Sequence, residues 1–412
     1  MTTQRATVAE IDLNAFKLNL GRIRSLLEPQ VKIMAVVKAD GYGHGAVPCA
    51  RAALEAGADW LGVAILEEGV ELRNSGIDSP ILVMGSIFPD EAKDLVHYDL
   101  STSASGFALA QALSRQAEKQ GKTVGFHIKI DTGMGRLGMR PEDLPDFVDQ
   151  AQELKNLRME GIFTHLSSAD EADPEFTLGQ LSRLSQAIDS LKAKGIDLPM
   201  VHAANSSAIL NFPDSHLDMA RPGIVLYGTL GLSGKSSNPN QTAPPGVSKL
   251  PPRRVAPGVS NLAPRRVASS VSKPALRQEF RPVMSWKSKI LQISKLPKGT
   301  PVSYNRRFTT ERESLIAILP VGYGDGLNRA LSNNMDVLVR GQRAPQVGTI
   351  CMDLCLIDVT DIKGVQCEDE VVLFGQQGNE FITVDEMAER CGTISYEILC
   401  NVGKRVPRVY LP

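Results

Sequence analysis

Short apolar runs recur through the first half of the chain, each followed by a segment of helical periodicity or by turn signals. In order they occupy 33–37, 60–65, 80–84, 99–102, 124–130, 159–164, 200–204 and 217–226. Amphipathic stretches lie between them at 46–56, 67–75, 107–120, 141–154 and 176–194. Eight runs alternating with helices predict a (β/α)8 TIM-type barrel, although a doubly wound open sheet gives a similar pattern. Polar residues at the ends of the runs favour the barrel. Lys38 follows the first run, Arg136 follows the fifth, His165 ends the sixth and Asn205 ends the seventh. Arg221 and Gly223 lie in or near the eighth. Such residues at the C-terminal ends of many different strands are what the active face of a barrel requires.

From residue 283 the pattern changes to alternating or short apolar runs at 288–293, 314–318, 335–339, 346–350, 356–359 and 370–374. Gly and Asp turns separate them, which predicts a mainly antiparallel β domain. A helix is expected over 383–391, with Thr383 as its N-cap and Asp385 and Glu386 in its first turn. The stretch 234–274 differs in kind: it holds eight prolines, seven basic residues and no acidic one. It also repeats with a period of twelve, Pro245-Gly-Val-Ser-Lys-Leu-Pro-Pro-Arg-Arg254 and then Pro257-Gly-Val-Ser-Asn-Leu-Ala-Pro-Arg-Arg266. A segment so poor in apolar surface cannot offset its ordering entropy and is expected to be a disordered insertion. A basic docking arm for an anionic partner is the sharper alternative. The expected organisation is a barrel over 10–232, the insertion, and a β domain over 278–412 against which residues 1–9 pack.

Composition narrows the function. The 412 residues carry 45 basic and 46 acidic side chains, a balance that points to neither nucleic acid nor a membrane surface. Residues 1–10 have no apolar signal-peptide core, and no run reaches membrane-spanning length. The six cysteines form no Cys-x-x-Cys pair and no His cluster, so reduced thiols, a cytoplasmic location and no metal site are expected.

The chemistry centres on Ala35-Val-Val-Lys-Ala-Asp-Gly-Tyr-Gly-His-Gly45. Lys38 sits at the end of a β-branched apolar run. Desolvation there lowers an amine's pKa and favours the neutral nucleophile that makes Schiff bases with carbonyls and with pyridoxal phosphate. A lysine snorkelling to water is the plainer reading of such a residue alone. Gly41, Gly43 and Gly45 around Tyr42 shift the balance, because glycines suit close approach of the backbone to a ligand. Further segments combine polar groups with glycines: Lys129-Ile-Asp-Thr-Gly-Met-Gly-Arg136, Gly161-Ile-Phe-Thr-His165, Asn205-Ser-Ser207 and Arg221-Pro-Gly-Ile-Val-Leu-Tyr-Gly228. The β region adds Val302-Ser-Tyr-Asn305, Gly322-Tyr-Gly-Asp-Gly326 and Gly348-Thr-Ile-Cys-Met-Asp353. Singly, His165 reads as a core histidine and Asn205 and Ser206 as helix caps. Their joint presence with a strand-end lysine points to one site.

Together these motifs resemble the alanine racemases, fold-type III pyridoxal-phosphate enzymes, over essentially the whole chain except the proline-rich insertion. The resemblance implies racemisation of L-alanine and D-alanine on pyridoxal 5′-phosphate by two bases, supplying D-alanine for peptidoglycan. It also implies a homodimer whose active sites are shared between subunits. A racemase for serine or several amino acids is the nearest alternative, and the basic amino acid decarboxylases of the same fold are a further one. By motif, Lys38 would tether the cofactor and act as one base, and Tyr304 of a second copy would be the other. Tyr42, Ser206, Gly223 and Ile224 would hold the phosphate, with His165 and Asn205 also in the cofactor site. Arg221 would face the pyridine nitrogen, and a chain from Tyr304 through His165 to Arg221 would help the tyrosine act as a base. Arg136, Met352, Tyr323 and Asp353 would meet the substrate, and Lys129 matches a position often carbamylated. One departure is Lys404, where the family often carries an aromatic residue near the phosphate.

Overall fold

The computed structural model describes residues 5–196, 198–230 and 280–412. The insertion expected at 234–274 lies outside the described residues. The first strand, β1 (Val8–Asp12), belongs to a sheet of the β domain. Eight parallel strands then follow: β2 (Lys32–Val36), β3 (Trp60–Val63), β4 (Ile81–Val83), β5 (Ser101–Ala104), β6 (Val124–Lys129), β7 (Leu157–Phe163), β8 (Val201–His202) and β9 (Met219–Ala220). They pair in the order β8-β7-β6-β5-β4-β3-β2-β9. Between β8 and β9 the ring closes through single bonds. The amides of Asp218 and Arg221 donate to the carbonyls of Val201 and Ala204, and the Val201 amide donates to the Asp218 carboxylate. The barrel expected from the spacing of apolar runs is therefore present. Strands such as β6, buried along its whole length, read as continuous runs because helices cover one face and the barrel interior the other.

The β domain is built on a sheet in the order Gln342–Pro345, Asp336–Val339, Glu370–Gln377, Met284–Lys289, β1 and Arg408–Leu411. β1 runs antiparallel to Met284–Lys289 and parallel to Arg408–Leu411. Residues 10–12, which the spacing of runs assigned to the barrel, thus lie in this sheet. The alternating burial of Ala9 and Ile11 in β1 is the period-two signature of a half-covered strand. A second sheet pairs Gln292–Leu296, Ser314–Leu319 and Cys355–Asp358.

Two expected strands take a different form. The run 288–293 spans a change of sheet. The Ile290 amide donates to the Asp369 carbonyl, while that of Leu291, 59% exposed, donates to the carbonyl of Ile318 in the other sheet. Apolar periodicity does not register this switch, because Ile290, Leu291 and Ile293 are apolar alike although only Ile290 is buried. The run 346–350 is irregular past a single bridge from Gln346 to Ile357. Its amides bond instead to turn and side-chain acceptors, Gly348 to Asn333 Oδ1 and Ile350 to Ser332 Oγ. The expected helix appears as Val384–Cys391, with Thr383 Oγ1 accepting from the Glu386 amide.

Barrel and β domain are stapled by a buried asparagine. Asn19, on helix Leu13–Leu26, donates to the carbonyls of Leu226 and Arg281 and accepts from the Arg281 amide. A fully satisfied buried amide of this kind fixes one arrangement of its neighbours. The barrel mouth is thereby held against the C-terminal segments.

Candidate active site

Lys38 begins a turn of unusual hand. Ala39, Asp40, Gly41 and Tyr42 have φ of +52°, +53°, +60° and +52°, and Gly43 follows at +82°. A left-handed conformation costs a non-glycine residue about 1–2 kcal/mol, so Ala39, Asp40 and Tyr42 together need outside support. The Glu68 carboxylate accepts from the amides of Ala39 (2.6 Å) and Ala64 (2.7 Å), and Asp40 Oδ1 accepts from the Ala46 amide (2.8 Å). Arg408 donates to the Gly43 carbonyl at 3.0 Å. A Cβ on Gly43 would overlap the Leu399 carbonyl, and one on Gly45 the Tyr410 hydroxyl. The glycines expected to admit a ligand at these two positions instead admit the β domain. Burial, and then the charge of Arg136, lower the Lys38 pKa, while Glu68 and Cys400 oppose the shift.

Lys38, Tyr42, His165, Asn205, Ser206, Arg221, Gly223 and Ile224, with Lys129 and Arg136, line one cavity of about 390 Å³ at the C-terminal ends of the strands. Asn205 caps helix Ser206–Asn211 through its bond from the Ala208 amide, and its Nδ2 donates to the Leu166 carbonyl. Ser206 Oγ accepts from the Gly223 amide at 2.9 Å. A Cβ on Gly223 would sit 2.6 Å from the Tyr42 hydroxyl. Glycine thus keeps open a cradle of hydroxyls and backbone amides, a donor set suited to a phosphate. An amine, a phosphate cradle and a buried guanidinium in one cavity fit pyridoxal phosphate.

Arg221 is buried and donates to His202 Nδ1 (2.9 Å) and to the carbonyls of Thr164 (2.7 Å) and Ala203 (3.0 Å). Desolvation lowers its pKa to about 9, which leaves it charged at neutral pH. The Phe163 ring lies against Arg221, Lys129 and His202, at 5.4, 5.3 and 4.7 Å respectively. Lys129 donates to the Met84 carbonyl at 2.9 Å. Burial and the neighbouring cations Arg136, Arg221 and Lys38 bring its pKa down to about 8. The same causes bring half-buried His165 to about 3, so its imidazole is neutral near pH 7. His165 and Arg221 share the cavity, but Arg221 pairs with His202 rather than directly with His165.

Tyr304, Tyr323, Met352 and Asp353 lie outside this cavity, together on the β domain and exposed. The Tyr323 and Gly324 amides donate to the carbonyls of Cys351 and Met352, and Thr349 Oγ1 donates to the Tyr304 carbonyl. Tyr304, 67% exposed, is flanked by Ser303, Asn305 and Arg306 at φ of +63°, +60° and +51°. Ser303 also has ψ of −173°, a region almost confined to glycine that costs about 1–3 kcal/mol. A 2.6 Å bond from its hydroxyl to the Thr349 carbonyl holds it there.

Two residues in or behind the site were given no role by sequence reasoning. Tyr396 enters the cavity from the β domain, its ring 5.9 Å from that of Tyr42. Lys404, by contrast, is exposed and does not line the cavity, so the aromatic group beside the phosphate cradle is Tyr396. His202 was hidden within an apolar run, where a lone polar residue was the available signal.

The profile described as "Alanine racemase, N-terminal domain" matches residues 11–231, and "Alanine racemase, C-terminal domain" matches 283–410. An alanine racemase of Halothermothrix orenii is 42% identical over 406 residues, covering 98% of this chain and 97% of its own. One of Desulfovibrio desulfuricans is 42% identical over 407 residues, covering 99% and 98%. The crystal structure of alanine racemase from Bacillus anthracis with bound L-Ala-P superposes with a TM-score of 0.85 at 33% identity, covering 100% of this chain and 96% of that one.

His44, His127 and His202 are fully buried, and desolvation holds all three below the usual histidine range, to about 4 for His44 and about 3 for His127. Below pH 6.5 the unfolded chain takes up protons that these rings refuse in the native state. Stability is therefore fully present above pH 6.5 and is lost as pH falls toward the folded values, by about 1.4 kcal/mol per pH unit for each histidine. The urea midpoint should fall continuously between pH 6.5 and 5, above the carboxylate range. A midpoint unchanged over that interval would contradict the burial of neutral imidazoles.

Proposed function

The chain belongs to the alanine racemase family, and from that premise we propose that it interconverts L-alanine and D-alanine, with Lys38 and Tyr304 as its two bases. The cofactor is pyridoxal 5′-phosphate. When bound, it supplies an aldehyde for amine capture and a conjugated ring that accepts the electron pair of the Cα–H bond. The observation that carries the reading is Lys38, desolvated at the end of β2, in one cavity with the phosphate cradle and Arg221.

Lys38 would hold the cofactor through Nζ, and Tyr42, Ser206 and the amides of Gly223 and Ile224 would hold its phosphate. Arg221, a donor with no acceptor atom, would oppose protonation of the pyridine nitrogen. By limiting how far the ring could withdraw the electron pair, Arg221 would favour return of the proton to Cα over transamination. Arg136 supplies a cation for the substrate carboxylate, and the backbone of Met352, with Tyr323 and Asp353, would complete that subsite.

Racemisation requires proton removal on one face of Cα and delivery on the other. The described cavity offers Lys38 for one face. Exposure of Tyr304, Tyr323 and Met352 in one cluster supports their donation to the cavity of a second copy in a homodimer. Backbone strain beside Tyr304 has the character of a functional position rather than a packing one. A cytoplasmic setting agrees with six unpaired cysteines. Lys404, the departure from the family pattern near the phosphate, does not line the described cavity.

In deuterium oxide, L-alanine should be converted to α-deuterated D-alanine. Tyr304→Phe should slow deprotonation of L-alanine about 100-fold or more and that of D-alanine far less. Equal loss in both directions would remove Tyr304 as the L-specific base. Lys129 bears on the same site: a carbamate on its Nζ would place an anion among cations and orient Arg136. Its amine is neutral above a pKa of about 8, so 13C-bicarbonate should give a carbamate resonance that grows from pH 7 to 9 and is missing in Lys129→Ala. A signal equal in both proteins would exclude the modification.

A further inference from the structure

Behind Arg221 a line of polar groups runs down the otherwise apolar barrel interior. His202 Nε2 lies 2.9 Å from His127 Nδ1, and His127 Nε2 lies 3.8 Å from a Glu160 carboxylate oxygen. Glu160 is anchored by Ser101 Oγ (2.5 Å) and Arg158 (2.7 Å). Phe163 stacks on His202, and Trp60 meets His127 edge-on. Two glycines make room for the line. A Cβ on Gly125 would overlap the Glu160 carboxylate, and one on Gly161 would lie 2.9 Å from His127 Nδ1.

The direction of each N–H is set from the Arg221 end, and the Glu160 oxygen, at 3.8 Å beyond hydrogen-bond distance of His127 Nε2, favours an N–H there by its charge. Arginine only donates, so His202 Nδ1 must accept and its proton sits on Nε2. That proton faces His127 Nδ1, which therefore accepts, and the His127 proton sits on Nε2, facing Glu160. Burial keeps both rings neutral, so each carries a single proton. The reverse arrangement would turn the His127 lone pair toward the carboxylate and set the His202 N–H against a guanidinium N–H. Glu160 is part-buried and paired with exposed Arg158, so the line runs from the solvent side of the barrel to Arg221 at the cavity.

We infer that Glu160 is a positioning residue: its carboxylate holds His127 and His202 in their Nε2–H tautomers and, through them, fixes the guanidinium of Arg221 in the cavity. This role rests on the reading that Arg221 faces the cofactor ring. The test is long-range 1H–15N correlation on holoenzyme labelled with 15N-histidine, with the two signals assigned by single His→Gln variants. Both rings should carry one proton, on Nε2, at pH 7. Glu160→Gln, whose amide can donate as well as accept, should introduce an Nδ1–H population at His127 and lower kcat about 10-fold, as loss of outer-shell support does elsewhere, with KM within twofold. An Nδ1–H or doubly protonated ring in the unmodified protein would overturn the inference, whatever the variant does. So would unchanged tautomers or unchanged kcat in Glu160→Gln. Failure of the unmodified holoenzyme to racemise alanine would instead overturn the functional reading, and the tautomers report separately from it.

Discussion

The site depends on a left-handed turn that would not survive alone. Three non-glycine residues, Ala39, Asp40 and Tyr42, hold positive φ directly after Lys38, at about 1–2 kcal/mol each. Each hydrogen bond to the turn offsets about 0.5–1.5 kcal/mol, and those bonds come from both directions. Glu68 grips the turn from the neighbouring loop of the barrel, and Arg408 and Leu399 close on it from the β domain. The geometry of the amine is therefore a property of two domains in contact. Tyr42, the last of the strained residues, carries the hydroxyl that faces Gly223, so one turn positions both the tether and part of the phosphate cradle.

Charge gives the cavity its second constraint. Lys38, Lys129, Arg136 and Arg221 share one partly desolvated space, where Arg136 lowers the proton affinity of Lys38, and Arg136, Arg221 and Lys38 lower that of Lys129. An anionic phosphate and a substrate carboxylate relieve that repulsion, so binding is selective for ligands that carry them. The histidines are kept out of the charge balance by burial. Neutral His165 and His202 can pass or orient hydrogen bonds without adding to the positive field. Lys129, brought to about 8, is poised to change protonation near working pH, and both candidate bases stand beside strained backbone that the surrounding bonds hold in place.

Much of this was legible in the residues, for identifiable reasons. A fully buried parallel strand is a continuous apolar run, so the eight barrel strands stood out, and capable side chains at their ends marked the mouth. The N-cap at Thr383 was equally plain. Period-two patterning cannot show where a chain changes sheets, which is why 288–293 read as one strand. Glycine spacing around Tyr42 indicated close approach but not what approached, and at Gly43 and Gly45 it was Leu399 and Tyr410 rather than a ligand. The polar line through the barrel was invisible because its members are single polar residues in apolar strands, on β6, β7 and β8, brought together only by closure of the ring.

The account stands on a covalent bond between the Lys38 amine and pyridoxal phosphate. Borohydride reduction of the holoenzyme followed by peptide mapping tests it directly. The reduced label is predicted on the peptide that contains Lys38, with loss of visible absorbance in Lys38→Ala. A label on another lysine, Lys129 included, or no stable label at all, would contradict it.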